Sequence, residues 1–152
     1  MEQNSGPKCS KLSFATWNID SLLARDGAKK PLLESIQNLH QFDLFGICET
    51  YLTNKNPDDD LCLDGFSASP LRSDCKSAGE KSQGGVCLYY RDHLPFKRRN
   101  DLEILDESIV VEINLNRKKN LFLLVYRSPS QTSAEFMVFM KKLSTFYDKA
   151  VS

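Results

Sequence analysis

Three strand-like runs in this 152-residue chain stop abruptly at polar groups. Leu12–Trp17 gives way to Asn18 and Asp20, Leu44–Cys48 to Glu49, and Leu121–Val125 to Tyr126 and Arg127. Short apolar runs with β-branched and aromatic content, bounded by polar residues, read as buried strands. A sheet whose strands end this way gathers polar groups at one edge, the kind of place where ligand sites form. Alternate residues of a strand share a face, so Asn18 and Asp20 point into one space if the first strand runs that far.

The segments between these runs fill in an α/β pattern. Pro31–Gln41 carries Leu32, Leu33, Ile36 and Leu39 on one helical stripe, and Pro31 suits a first turn, where a missing N–H costs nothing. Tyr51–Gly65 is a polar loop bearing Asp58, Asp59 and Asp60, without the Gly and distal Glu of a Ca²⁺ loop. Phe66–Leu71 reads as a short strand, Ser73–Gln83 as a mobile loop and Gly84–Tyr90 as another strand. Ser108–Leu115 alternates with period two, Asn116–Asn120 turns, and Leu121–Tyr126 returns as its partner. Thr132 with Glu135 three residues on forms a capping box. The helix it opens has Phe136, Phe139, Met140, Leu143, Phe146 and Tyr147 on its apolar face. The expected class is α/β: a partial two-layered β-sandwich, mainly antiparallel, flanked by helices. Residues 1–11 read as a flexible N-terminal tail and 12–152 as one domain.

Bulk properties exclude several functions. Twenty basic and twenty acidic side chains cancel, so no global field draws in nucleic acid. Such binding needs a local patch, for which Lys97–Arg99 and Arg117–Lys119 are the candidates beside the plainer reading of basic, soluble turns. The longest apolar run, "LFLLVY", falls far short of the roughly 20 residues a membrane helix needs. The first residues lack the apolar stretch of a secretory signal, which points to an intracellular protein, nuclear or cytoplasmic, with no membrane partner. Five cysteines, an odd number without a C-x-x-C pair, give no support to a zinc or redox motif and suit a reducing compartment.

The strand-end groups suggest phosphate chemistry. Glu49 offers a hard oxygen ligand, and Mg²⁺ takes one or two carboxylates and completes its shell with water and phosphate. Asn18 either donates to a phosphate oxygen or closes a local turn with Ser21 or Leu22. Asp20 either caps that turn or supports a metal from behind. Tyr126 either donates to a phosphate, orients a water, or is a half-buried tyrosine with a wet hydroxyl. Arg127 either offsets developing charge or begins the turn that Pro129 forces.

Four strings in order strengthen the functional side of each choice. "TWNIDSL", "FDLFGICETYL", "RSDCKSAGEKSQGGVCLYYR" and "LFLLVYRSPSQTSAEFMVFMKKL" resemble successive segments of the endonuclease/exonuclease/phosphatase superfamily of Mg²⁺-dependent phosphodiesterases. The Y-R-x-P-S run, and Asp74 followed by G-G-V, are similar to the branch encoded by non-LTR retrotransposons, in which the domain nicks DNA ahead of reverse transcription. The resemblance implies Glu49 as metal ligand, Asn18 on phosphate and Asp20 supporting the metal through water. It further implies Tyr126 at the scissile phosphate, Arg127 and Asp74 toward substrate, Mg²⁺ as cofactor and DNA as partner.

The family's later G-D-x-N and S-D-H segments do not occur in residues 1–152, and Cys75 stands where retrotransposon members usually carry Arg. The expectation is therefore the N-terminal portion of such a domain, with negligible activity by itself. It would either await a C-terminal half or act as a non-catalytic interaction module that self-associates. A third reading keeps the fold and exchanges DNA for a phosphorylated lipid or small molecule.

Overall fold

The computed structural model describes residues 11–67, 69–75 and 84–152. The expected N-terminal tail up to residue 10, with Cys9, and residues 76–83 of the expected mobile loop lie outside the described residues. The elements run β1 (Phe14–Asn18), α1 (Ala24–Gly27), α2 (Lys30–His40), β2 (Leu44–Cys48), β3 (Leu71–Ser73), β4 (Val86–Tyr90), β5 (Phe96–Arg98), β6 (Ser108–Leu115), β7 (Lys118–Val125) and α3 (Ser133–Val151). They form a four-stranded sheet in the order β1-β2-β4-β3 and a three-stranded sheet in the order β5-β6-β7. Among the described residues only β1 and β2 pair in parallel. Parallel neighbours need a crossover, and the α2 segment supplies it.

Helix α2 begins with Pro31 in its first turn and ends where Gln41 turns left-handed, φ 51°. Buried Gln37 fastens that end by bonding the N–H and C=O of Phe42, at 3.0 and 2.8 Å. Strand β2 is buried on both faces. Phe45 and Ile47 join Leu22, Leu33, Leu52, Leu61 and Tyr89 on the helix side. Leu44 joins Val86, Leu88, Ile109, Val111 and Ile113 between the sheets. Gly46 is required there, because a Cβ would lie 2.8 Å from Leu124 Cδ1. This interior packing makes the molecule a two-layered sandwich with helices outside, as the pattern implies.

The differences from the sequence reading are local. The strand expected at Phe66–Leu71 begins only at Leu71, since Pro70 has no N–H to give a ladder; Ser67 contributes a single bond to Tyr90 O at 2.9 Å. The turn expected over Asn116–Asn120 is only Asn116-Arg117, φ 51° and 65°. Such a two-residue turn matches strand twist, so β7 starts at Lys118. β5 has no periodicity long enough to read; Arg98 at its end pairs with Glu103, and Arg99 just after it with Asp101 and Glu112. The capping box at Thr132 and Glu135 is present. Nevertheless α3 buries no residue.

Candidate active site

β1 and β2 finish side by side, with Asn18 in register with Cys48. Beyond them both chains leave the sheet through left-handed, non-glycine residues: Asp20 (φ 50°), Ser21 (φ 72°), Glu49 (φ 55°) and Tyr51 (φ 56°). Each such residue costs about 1 kcal/mol or more and persists only where its surroundings hold it. Here the backbone does so. Ile19 N–H donates to Cys48 O at 3.0 Å, Ser21 N–H to Glu49 O at 2.8 Å, and Leu22 N–H to Thr50 O at 3.0 Å. Tyr51 N–H donates to Gly84 O at 2.9 Å. The N–H groups of Ser21 and Leu22 are thus taken by the neighbouring segment, so Asn18 closes no local turn with them. β1 ends at Asn18, and the face-sharing expected of Asn18 and Asp20 is replaced by a bend.

The bend at Glu49 redirects its side chain. On a straight strand Glu49 would follow Phe45 and Ile47 toward α2. Instead it meets the second sheet, where the Tyr126 hydroxyl donates to Glu49 Oε1 at 2.8 Å across 77 residues of sequence. Burial first, then the bond to Glu49 and its charge, push the Tyr126 phenol well up, so it stays protonated and donates. Tyr51 follows Glu49 by two residues, and its acidity is likewise weakened, by burial first and then by the nearby Asp20 and Glu49.

Glu107 ties these pieces together. Its backbone carbonyl accepts from Tyr126 N–H at 3.1 Å, and its side chain accepts from Gly85 N–H at 2.8 Å. Gly85 O in turn accepts from Thr50 N–H at 3.3 Å. The Gly84-Gly85 pair is needed for this approach. A Cβ on Gly84 would lie 2.2 Å from Glu107 Oε1, and one on Gly85, at φ 91°, 2.6 Å from Thr50 Oγ1.

The structure therefore brings Glu49 and Tyr126 into contact and sets Asn18 and Asp20, both exposed, at and just beyond the adjoining strand end. Asp74 is engaged by Arg72, at 2.7 Å. That guanidinium also takes Asp58 and the carbonyls of Thr53 and Asn56, stapling the Tyr51–Gly65 loop to β3. Arg127 lies over the Phe136 ring, 5.2 Å from its centre. Tyr51 and Glu107 are absent from the sequence reading. Tyr51 reads there only as the start of a polar loop, and Glu107 has no reading; neither carries a spacing signal. Cys48 is half-buried and its thiol acidity is weakened by burial, then by Glu49 and Glu107, which argues against a nucleophilic thiolate.

A divalent cation fits this donor set. Glu49 offers hard oxygens just past the end of β2, and Asp20 precedes Ser21, whose N–H donates to Glu49 O at 2.8 Å. Among the described residues no group of three or more His, Cys, Asp or Glu is placed to hold a metal ion. Two carboxylates with water and phosphate suit Mg²⁺ better than a cage would.

No family model matches the chain, and no curated protein matches it. Solved structures do. An AP endonuclease from Archaeoglobus fulgidus is 16% identical, with a TM-score of 0.57 over 93% of this chain and 53% of its own. The AP endonuclease LMAP from Leishmania major is 15% identical, with a TM-score of 0.67 over 89% and 47%. The 3′ phosphatase NExo from Neisseria, bound to a product DNA hairpin, is 16% identical, with a TM-score of 0.55 over 93% and 53%. The likeness is one of fold, and the chain spans about half the length of each.

Proposed function

We propose that this chain carries the metal- and phosphate-holding part of a Mg²⁺-dependent DNA phosphodiesterase site, in the retrotransposon branch of the endonuclease/exonuclease/phosphatase superfamily. One observation carries the reading: the Tyr126–Glu49 hydrogen bond, which joins the ends of two strands from different sheets. The solved structures of like fold include two AP endonucleases and a phosphatase holding a DNA hairpin, which supports DNA as the substrate class.

Glu49 would hold the cation, Asp20 would support it through water, and Asn18 would donate to a phosphate oxygen beside it. The bound cation would supply charge stabilisation for phosphodiester hydrolysis. Tyr126, kept protonated, would present its hydroxyl at the rim of the same pocket and fix the orientation of Glu49. Arg127 would lie near the phosphate, and Asp74 would act through Arg72 on the loop that follows Tyr51.

The general base is a separate matter. His40 ends α2 and stacks on Phe42 ahead of β2, and His93 follows the far end of β4. Both thus lie at the opposite end of the strands from Glu49, since Leu44 pairs with Tyr90 and Cys48 with Val86. A positioned base is worth about 10²- to 10⁴-fold. Residues 1–152 are therefore expected to bind a short DNA duplex in a Mg²⁺-dependent way, lost in Glu49→Ala, while nicking plasmid negligibly. DNA binding indifferent to both Mg²⁺ and Glu49 would overturn the site. Nicking abolished by Glu49→Ala would show that the chain supplies its own base.

A second reading, an interaction module, is favoured by α3, which displays Phe136, Met137, Val138 and Met140 to solvent. Sedimentation of a monomer with no dye-binding apolar surface would remove it.

A further inference from the structure

We propose that a second copy of this chain docks on the open side of the sandwich, where the edges of β1 and β7 lie together, and that the two β1 strands pair antiparallel about Thr16. This surface is distinct from the exposed face of α3 and does not depend on the cation site.

Each sheet has one guarded edge and one open edge. β3 and β5 stand at one end of each sheet and are three residues long. β3 carries Arg72, and β5 carries Lys97 and Arg98. Shortness and basic side chains keep an edge strand from pairing with another chain. β1 and β7 stand at the other ends, with five and eight residues. β1 reads Phe-Ala-Thr-Trp-Asn, without charge, proline or bulge. β7 is charged only at Lys118 and Lys119 and is apolar from Leu121 to Val125. Among the described residues no strand lies beyond either.

The hydrogen-bond alternation identifies the free backbone groups. Ser13 O accepts from Leu44 N–H at 3.1 Å, and Ile19 N–H donates to Cys48 O at 3.0 Å. Odd-numbered residues of β1 therefore bond β2, and Phe14, Thr16 and Asn18 turn their N–H and C=O groups outward. On β7, Tyr126 N–H donates to Glu107 O, so even-numbered residues face β6 and Leu121, Leu123 and Val125 face out.

The two open edges are neighbours. The Phe14 and Phe122 rings meet edge to face, 5.8 Å between centres, and Phe14 is 60% exposed. Between the strands lies an apolar opening of about 110 Å³, lined by Phe14, Leu44, Gly46, Leu88, Phe122 and Leu124. A docked strand would satisfy the backbone and cover this opening together.

A second copy meets both needs. A two-fold axis through Thr16, perpendicular to the sheets, sets Thr16 opposite Thr16 and Phe14 opposite Asn18. Outward groups then meet outward groups, as an antiparallel ladder requires, and no charge lies in the pair. The same axis runs β7 antiparallel to its copy, so Lys118 and Lys119 point toward the apolar end of the other strand rather than toward each other. Zero formal net charge leaves no overall repulsion between copies. Asn18 pairs through its backbone alone.

The test is sedimentation velocity of the 152-residue chain at rising concentration. The wild type should pass from monomer to dimer, and hydrogen exchange at the Thr16 amide should slow as it does. Thr16→Pro removes an outward N–H and no β1–β2 bond, a place where an edge strand tolerates proline. It should weaken the dimer about tenfold or more, through bonds lost at the centre of the pairing. Phe14→Lys puts a guarding charge on the same edge from an exposed position and should weaken the dimer likewise, even if Thr16→Pro fails to fold. Met137→Lys, on the exposed face of α3, should leave the dimer unchanged. A wild type that stays monomeric would overturn the proposal and leave the edges to a different polypeptide. A dimer undiminished in Phe14→Lys, or one lost only in Met137→Lys, would overturn it by moving the interface elsewhere.

Discussion

Helices α2 and α3 have similar sequence credentials and opposite fates. α2 has 11 residues, no side-chain N-cap bond, and Leu33 buried to 1% exposure against the first sheet. α3 has 19 residues and a complete capping box, yet buries nothing and leaves Met137 56% exposed. Local signals decide whether a helix forms; the neighbouring layers decide whether it is covered. The α2 side of the molecule has a closed core under the first sheet. The α3 side is held at a few points, among them Lys142 to Asp106 at 3.1 Å and Arg127 over Phe136. The candidate site lies between them: Glu49 turns from the α2 side to meet Tyr126, which also lines the cleft under α3. Tyr126, which directly precedes the loop into α3, is held by Glu107 and Glu49 rather than by that helix.

The sharpest way to break this contrast is a pair of truncations. Ile47→Ala, at a side chain with no exposure, should cost about 2–5 kcal/mol in urea unfolding, from lost burial plus a cavity. Met137→Ala on α3 should fall within about 0.5 kcal/mol of wild type. Equal costs would mean that α3 is as firmly packed as the core beneath α2.

Gly85→Ala probes where the closed side meets the site. It forces a Cβ at φ 91° against Thr50 Oγ1 and should cost about 2 kcal/mol by the same measurement. Mn²⁺ affinity should fall with it, because Thr50 and Gly85 share a backbone bond beside Glu49.

Those glycines show how far the sequence could be read. The strand ends, α2, the β6–β7 hairpin and the capping box all rest on patterns within one segment, and each was legible. Tyr51 and Glu107 were not. Left-handed φ at Asp20, Glu49 and Tyr51 has no signature in residues that normally avoid it. The Glu107–Gly85 bond joins positions 22 apart through the meeting of two sheets, which no local period encodes. Asp74 was singled out by the family resemblance alone, and its engagement by Arg72 depends on the fold of the Tyr51–Gly65 loop.

Glu107→Ala should cost about 1–2 kcal/mol, leaving the Gly85 N–H without its acceptor. Glu107→Gln, which keeps an acceptor oxygen, should recover most of that loss. Full recovery of stability without recovery of Mn²⁺ affinity would show that the Glu107 charge acts on the site as well as its bond.

Tyr126→Phe should cost only about 1 kcal/mol in stability, since the ring stays packed and a single hydroxyl is lost. Its effect should appear in Mg²⁺-dependent DNA binding, weakened as the Glu49 carboxylate loses its fixed orientation. A stability loss as large as that of Ile47→Ala would make the bond a structural clasp instead.

The central claim is that strand ends from both sheets build one seat for a divalent ion. Crystals grown in Mn²⁺ and measured for its anomalous scattering test it directly. The account predicts a peak in contact with the Glu49 carboxylate, beside Asp20 and Tyr126. A peak at the Asp58–Asp60 triplet with none at Glu49, or no peak at all, would contradict it.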